Sequence, residues 1–387
     1  MKKVLCFVLM CLMLIQCSVM PVKAEELKLA ESAKSAILLE PTTGEIIFEK
    51  NSHEKLHPAS MTKMMSMLLI IEAIENGVIS WDEMVTVSEN AASMGGSQIL
   101  LEVGEQMSVH DLFKGIAVAS GNDAVVAMAE KIGGSEAIFV DMMNEKAKEL
   151  GLTDTHFKNP HGLDDDDHYS SAYDMAMIGK ELVKHEKVLE FTKIYEDYLR
   201  QNTDRKIWLV NTNKLVRFYE GVDGLKTGYT ASAGYCLTAT AKKGSSRFLA
   251  VAMGEPDSKT RNQEISEMLD YAFAQYEVEI MLDKDSVIKT IEVEKGRNKF
   301  VDLVPLNEVS FLNKKGTNKK NATYEISIDK VKAPVKEGDI VGNLKIKEDE
   351  NVIREVPITV RESVEKCNLF ELYFRHLTDI FKGDVSL

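Results

Sequence analysis

The order of apolar and polar residues in the first half of the chain predicts one hairpin followed by many helices. Residues 36–39 and 45–48 are short apolar runs on either side of the turn sequence Pro41-Thr42-Thr43-Gly44. Apolar runs joined by such a turn are typical of a β-hairpin. Helical spacing then dominates for about 150 residues. We therefore expect a hairpin that leads into a helical cluster.

Strand patterns return in the second half of the chain. Residues 224–229, 235–241 and 248–253 read as strands, and 259–275 has helical spacing. Strands at both ends with helices between them predict one α+β domain whose antiparallel sheet is closed by segments distant in sequence. We assign residues 25–277 to this domain.

The pattern of apolar and polar residues changes in the last third of the chain. Short alternating runs such as 288–293 and 324–328, with glycines between them, predict a small all-β domain over residues 278–363. Residues 364–387 read as an amphipathic helix, a possible membrane anchor. Four acids against three bases over 365–384 are unlike a typical interfacial helix, so packing on this protein or on a partner remains an alternative.

The first 24 residues resemble a secretory signal peptide. Lys2 and Lys3 precede an apolar run, and small residues occupy Val22 and Ala24 before the expected cut. A retained anchor, or a lipoprotein cut before Cys17, are the alternatives. We therefore expect export, with the mature protein at the outer face of the cytoplasmic membrane or in the cell wall.

Composition narrows the possible partners. The chain has 387 residues, 47 Lys plus Arg against 61 Asp plus Glu, and a net charge of -14. Acidic surfaces repel phosphate backbones, so we expect no nucleic-acid partner. No His-Glu-x-x-His motif, phosphate-binding glycine loop or Gly-x-Ser-x-Gly elbow occurs in the sequence, so we expect no metal and no cofactor.

The first candidate for chemistry is Ser60-Met61-Thr62-Lys63, which opens a segment apolar on every side. Such a helix should be buried, and desolvation favours a neutral Lys63 that accepts the proton of Ser60 three residues earlier. Serine and lysine at this spacing also occur by chance, and Ser60 alone is as easily explained as a helix N-cap.

Two further motifs follow in the chain. Ser120-Gly121-Asn122 interrupts two helical runs, 108–119 and 123–132, although a simple helix-to-helix turn would also explain it. Lys226-Thr227-Gly228 lies on a predicted strand, where an ordinary edge-strand lysine is the alternative.

Together these three motifs, in this order, mark class A β-lactamases and penicillin-binding proteins. The chain closely resembles the low-molecular-mass penicillin-binding proteins, which are serine-type D-alanyl-D-alanine carboxypeptidases. Nearly the whole mature chain shares the resemblance, and further matching stretches are Pro58-Ala59, Asn159-Pro160-His161-Gly162-Leu163, Asp223-Gly224-Leu225 before Lys226, Tyr229, and Ala233-Gly234-Tyr235.

The resemblance implies roles for individual residues. Ser60 would attack the bond between the two terminal D-alanines of a peptidoglycan stem pentapeptide, with Lys63 as base, and Ser120 and Asn122 would relay protons and orient the substrate amide. β-Lactams, which mimic this substrate end, would acylate Ser60.

The resemblance also implies a substrate-binding strand. Lys226 and Thr227 would contact the terminal carboxylate, Gly228 lies between them and Tyr229, and the N–H groups of Ser60 and Tyr229 would hold the oxyanion. Some relatives have an arginine where this chain has Thr212, so Lys214 or Arg217 are possible helpers.

Alternatives within the same fold remain open. A D,D-endopeptidase that cuts cross-links, or a penicillin-binding scaffold without catalysis, would carry the same motifs. A β-lactamase is disfavoured because residues 153–195 contain no Glu-x-x-Leu-Asn stretch for a deacylating base. The acidic loop of residues 164–167 flanks the site in this family, and a solvated loop is its default interpretation.

Overall fold

The computed structural model describes residues 27–317, 322–348 and 351–382. The predicted signal peptide lies outside the described residues. The strands are β1 (Ser35–Leu39), β2 (Ile46–Lys50), β3 (Met84–Thr86), β4 (Gln106–Ser108), β5 (Glu196–Leu199), β6 (Ile207–Val210), β7 (Val222–Thr230), β8 (Gly234–Lys243), β9 (Ser246–Glu255), β10 (Tyr276–Leu282), β11 (Lys289–Glu292), β12 (Phe300–Pro305), β13 (Val309–Lys314), β14 (Ala322–Ile328), β15 (Ile340–Glu348) and β16 (Asn351–Val360). The α-helices are α1 (Lys63–Glu75), α2 (Glu89–Ala92), α3 (Val109–Ala119), α4 (Asn122–Gly133), α5 (Glu136–Glu149), α6 (Ala172–Leu182), α7 (Glu186–Thr192), α8 (Leu215–Phe218), α9 (Ser258–Gln275) and α10 (Leu369–Lys382).

The first domain is built on a five-stranded antiparallel sheet with the order β2-β1-β9-β8-β7. β1 pairs with β9 in the register Ile37↔Val251, so the predicted hairpin closes a sheet whose other strands lie about 200 residues later. One face packs against the helical cluster, and the other packs against α9 through Ile265 and Met268. The predicted α+β architecture is confirmed.

Helix α1 runs through the middle of the helical cluster. Ten of its 13 residues are buried, in agreement with the apolar sequence on all its sides. Its surroundings include α4, α6 and the sheet, so any polar side chain that α1 carries inward is cut off from solvent.

Two short antiparallel strand pairs interrupt the region that the sequence pattern assigns to helices. β3 pairs with β4, and β5 pairs with β6. Strands of three or four residues are too short for a period of two to stand out from a helical pattern, which explains why the sequence did not reveal them.

The second domain is all-β, as predicted. It contains a five-stranded sheet of the order β11-β12-β16-β15-β14 and the pair β10 and β13. Its core includes Val293, Leu303, Leu344 and Ile358.

Helix α10 begins at Leu369, five residues later than the start predicted at 364. Val364 is buried in the β domain and pairs with Val335, so the segment before the helix belongs to that domain. Cys367, in the same segment, is buried, and its Sγ donates to Gly296 O at 2.9 Å. Among the described residues, no helix is both long and apolar enough to cross a membrane.

Candidate active site

Ser60 lies in a 3-10 turn, Ala59–Thr62, immediately before α1 rather than in the α-helix itself. Ala59 has a φ of 48°, in the left-handed region that a residue with a Cβ adopts at a cost of about 1–2 kcal/mol. No side-chain cap bond is made at the start of this turn or of α1, so the N-cap explanation of Ser60 does not apply.

Lys63 connects the nucleophile turn to two other parts of the domain. Its Nζ donates to Ser60 Oγ at 3.1 Å, to Asn122 Oδ1 at 2.6 Å and to the carbonyl oxygen of His161 at 2.7 Å. The side chain is fully buried. The amino group therefore has three oxygen neighbours, one of which is the hydroxyl expected to react, and no contact with solvent.

The environment of Lys63 favours the neutral amine. Burial lowers the pKa of Lys63 well below its ordinary value, and the charge of Lys226 lowers it further. Asp123 acts in the opposite direction. An uncharged amine has a free lone pair for the serine proton, which is what a general base requires.

Asn122 is held by backbone on one side and presents its amide oxygen to Lys63 on the other. Its Nδ2 donates to Gly95 O at 2.7 Å, and its own N–H donates to Ser97 O at 2.7 Å. These contacts fix the amide orientation, with oxygen toward Lys63. The glycine-rich stretch around Gly95 was not recognised from the sequence, because its contribution consists of backbone carbonyl groups.

Ser120 closes α3 in a left-handed conformation with φ 62°. Its Oγ is buried and makes no hydrogen bond with any described residue. Buried hydroxyl groups are normally satisfied, so this one is a candidate for contact with a bound substrate.

Strand β7 forms the opposite side of the site, at the edge of the sheet. A Cβ built on Gly228 would lie 2.6 Å from Pro58 O and 3.2 Å from Ser60 N. Only glycine allows the strand to approach the nucleophile turn this closely. Tyr229 follows with an exposed ring that packs against Tyr235, with ring centroids 4.3 Å apart and an angle of 33° between the ring planes.

Lys226 is a second buried lysine, although β7 is an edge strand. Its Nζ donates to the carbonyl oxygen of Thr227 at 3.0 Å. Burial, followed by the charge of Arg261, lowers the pKa of Lys226 to about 7. Arg261 is itself 5% exposed, at the start of α9. Arg261 could not be predicted from the sequence, because nothing in the local pattern of a helix N-terminus distinguishes it from a surface arginine.

Thr212 contacts the Lys-Thr-Gly strand directly. Thr227 Oγ1 donates to Thr212 Oγ1 at 2.7 Å, so Thr212 orients the hydroxyl of Thr227. Lys214 and Arg217 lie over the ring of Tyr195, at 5.3 Å and 4.8 Å from its centroid. Arg261 is thus the additional cation whose charge acts on Lys226.

The loop of residues 159–168 packs beneath the nucleophile turn. Gly162 has a φ of +86°, and a Cβ there would overlap the carbonyl oxygen of Ala59. His168 Nε2 lies 2.8 Å from Thr62 Oγ1, and its Nδ1 accepts from Lys158 N at 3.0 Å. The second bond assigns the proton of a neutral imidazole to Nε2, which then donates to Thr62.

Within the described part of the chain, no group of three or more His, Cys, Asp or Glu side chains is arranged to hold a metal ion. The histidines near the site instead form structural hydrogen bonds. Burial lowers the pKa of His161 to about 3 and that of His168 to about 4, so both are neutral near pH 7.

Comparison with known proteins gives relatives along nearly the whole chain. A family model described as D-alanyl-D-alanine carboxypeptidase, peptidase S11, matches residues 21–257, and one described as penicillin-binding protein 5, C-terminal domain, matches residues 276–366. The D-alanyl-D-alanine carboxypeptidase DacF of Bacillus subtilis (strain 168) is 52% identical over 353 residues, which are 91% of each chain.

Solved structures agree with this result. Penicillin-binding protein 5 from Haemophilus influenzae superimposes with a TM-score of 0.69 and 31% identity over 89% of this chain and 100% of that one. Penicillin-binding protein D2 from Listeria monocytogenes, in its cefotaxime-bound form, gives a TM-score of 0.58 and 30% identity over 64% of this chain and 99% of its own. On these matches, the chain belongs to the D-alanyl-D-alanine carboxypeptidase family, peptidase S11, and carries the C-terminal domain of penicillin-binding protein 5.

Proposed function

We propose that this protein removes the terminal D-alanine from peptidoglycan stem pentapeptides and that Ser60 is the nucleophile. The observation that carries the assignment of residues is the position of Lys63, a fully buried side chain whose Nζ lies 3.1 Å from Ser60 Oγ. A neutral amine at this distance is a base matched to a serine hydroxyl.

The acylation step follows from these contacts. Ser60 Oγ attacks the carbonyl carbon of the penultimate D-alanine while Lys63 takes the hydroxyl proton. The tetrahedral intermediate then expels the terminal D-alanine, whose amine receives a proton through Ser120, and leaves an ester on Ser60. Water hydrolyses this ester to release the shortened peptide and regenerate the serine.

Two sets of hydrogen-bond donors are proposed to bind negative charge, one at the oxyanion of the intermediate and one at the carboxylate of the substrate. The backbone N–H groups of Ser60 and Tyr229 are proposed to hold the oxyanion, and the close approach at Gly228 supports this pairing. Lys226, Thr227 and the field of Arg261 favour a substrate that ends in a carboxylate. β-Lactams present both a reactive carbonyl and a carboxylate, so we expect them to acylate the same serine.

The test supplies the purified protein and its Ser60→Ala variant with a stem pentapeptide and a cross-linked dimer in the same reaction, read by mass spectrometry. Loss of one alanine mass from the pentapeptide with the native protein alone supports the proposal. Cleavage of the dimer alone indicates an endopeptidase, and cleavage of neither substrate indicates a penicillin-binding scaffold. Equal activity of the Ser60→Ala variant would refute the role of Ser60.

We further propose that the protein acts outside the cytoplasm, after removal of the signal peptide, and that α10 rests on a membrane surface. Arg375 fixes the polar side of the helix to the β domain, because its guanidinium donates to Gly296 O and Arg297 O, each at 2.7 Å. Leu369, Phe370 and Tyr373 are 84%, 78% and 61% exposed. The helix therefore presents apolar side chains away from the protein.

The anchor is tested by removing residues 368–387, a cut that spares the buried Val364. The full chain should sediment with lipid vesicles, and the shortened chain should stay in the supernatant while retaining its penicillin binding. Equal sedimentation of both proteins would contradict the membrane contact.

A further inference from the structure

Asp164, the first residue of the acidic loop, connects the loop of residues 159–168 to the far end of β7. Its Oδ1 accepts from Thr230 Oγ1 at 2.8 Å, and its Oδ2 accepts from Ser232 Oγ at 2.9 Å. Each carboxylate oxygen therefore serves one hydroxyl, across a sequence separation of more than 60 residues.

The hydroxyl of Thr230 is oriented before it reaches the carboxylate. The N–H of Ala233 donates to Thr230 Oγ1 at 3.1 Å, which directs the hydroxyl hydrogen toward Asp164. Thr230 is the last residue of β7 and directly follows Tyr229, the proposed oxyanion donor. A contact that holds Thr230 therefore also restrains the N–H of Tyr229.

On its other side the loop is tied to the catalytic lysine. Asn159 Oδ1 accepts from His161 N at 3.3 Å and from Gly162 N at 2.6 Å, and Asn159 Nδ2 donates to Leu163 O at 3.0 Å. These bonds make the segment a compact unit. The same unit presents the carbonyl oxygen of His161 to Lys63 at 2.7 Å.

We propose that Asp164 is a positioning residue, which acts through Ser232 and Thr230 to fix the end of β7 relative to the turn that carries Ser60. This inference rests on the proposed roles of Ser60, Lys63 and Tyr229. If the substrate carboxylate lies at Thr227 and the reacting carbonyl at Tyr229, the acyl side of the substrate lies next to the contact between Asp164 and Thr230. The contact lies outside the reacting atoms and sets the separation between the two sides of the cleft.

The experiment compares Asp164→Ala, Ser232→Ala and the double variant with the native full chain, using acylation by a fluorescent penicillin. Stopped-flow traces over a range of penicillin concentrations separate the dissociation constant of the initial complex from the acylation rate constant. Asp164 and Asp166 are both exposed, so Asp166→Ala, which removes an equal charge from the same loop, is the matched control.

We expect Asp164→Ala to lower the acylation rate constant about tenfold, because a displacement well under 1 Å already slows a reaction between positioned groups. Ser232→Ala should lower it about threefold, and the double variant should be no slower than Asp164→Ala, since both substitutions break the same contact. The dissociation constant should stay within about twofold of the native value in each variant. Asp164→Asn, which retains one acceptor oxygen, should fall between Asp164→Ala and the native protein.

Three results would overturn the inference. The first is equal acylation by the Asp164→Ala and Asp166→Ala variants, the second is multiplication of the two single effects, and the third is a change confined to the dissociation constant. Failure of the native protein to be acylated, or acylation of Ser60→Ala, would instead refute the proposed function. Circular dichroism of each variant separates these outcomes from a loss of fold.

Discussion

Gly228→Ala is the substitution whose effect follows most directly from the geometry of the site. The added Cβ would lie 2.6 Å from Pro58 O, whereas ordinary contacts begin near 3.4 Å. It would also lie 3.1 Å from Ala59 Cβ and 3.2 Å from Ser60 N, so movement of a flexible side chain cannot relieve the contact. The strand and the nucleophile turn must separate by about 0.8 Å, the shortfall between those two distances.

A separation of this size acts on both activity and stability. A displacement of about 1 Å between reacting groups costs on the order of 100-fold in rate, so we expect acylation by a fluorescent penicillin to fall by about that factor. Overpacking of a close contact costs about 1–3 kcal/mol in unfolding free energy, measured by denaturant titration. Gly95→Ala is the matched control on the other side of the site, because a Cβ there meets nothing within 4 Å and the substitution keeps the backbone carbonyl that accepts from Asn122. Acylation and stability of Gly228→Ala equal to those of Gly95→Ala would refute the role given to this close approach.

Three further predictions concern the buried bases. Lys63→Ala should reduce acylation by at least about 100-fold with an unchanged circular dichroism spectrum, and a native-like rate would contradict its role as base. The pKa of Lys226 is about 7 in the folded protein and 10.5 ordinarily, so between these pH values the unfolded chain binds one more proton than the folded protein. The stability of the folded state therefore rises with pH in this window, and the native protein should gain thermal stability relative to Lys226→Met from about pH 7 to pH 9. A difference in melting temperature between the two proteins that does not change with pH would count against the lowered pKa of buried Lys226. His168 has a pKa of about 4 in the folded protein and 6.5 ordinarily, so the stability that it contributes is lost as the pH falls from about 6.5 to 4. The melting temperature of His168→Leu should therefore fall less than that of the native protein over this pH range. An equal fall in both proteins would argue against this assignment.

The sequence predicted the parts of the structure that depend on local pattern. Helix α1 is apolar on every side and is buried, and the hairpin of β1 and β2 is apolar around a turn. The three motifs are also brought to one place, with Lys63 in contact with both Ser60 and Asn122. For these elements the chemistry of the side chains carries the information.

The remaining parts of the site depend on contacts that leave no local signal. The carbonyl groups of Gly95 and His161 orient Asn122 and Lys63, and a backbone carbonyl is the same in every sequence. Arg261 reaches the site from α9 only because the sheet brings β8 and β9 beneath that helix. In the sequence, Asp164 is one of four consecutive acids that indicate a solvated loop. Its partners Thr230 and Ser232 lie more than 60 residues later, so the local pattern could not reveal the contact.

The central claim is that Ser60 is the nucleophile, and peptide mapping of a β-lactam adduct tests it most directly. Trypsin cleaves after Lys55 and Lys63, which isolates Ser60 in a peptide of residues 56–63 that contains no other serine. The account predicts that the mass of the opened β-lactam appears on this peptide and that fragmentation places it on Ser60. An adduct on any other residue, or an unmodified 56–63 peptide from fully acylated protein, would contradict it.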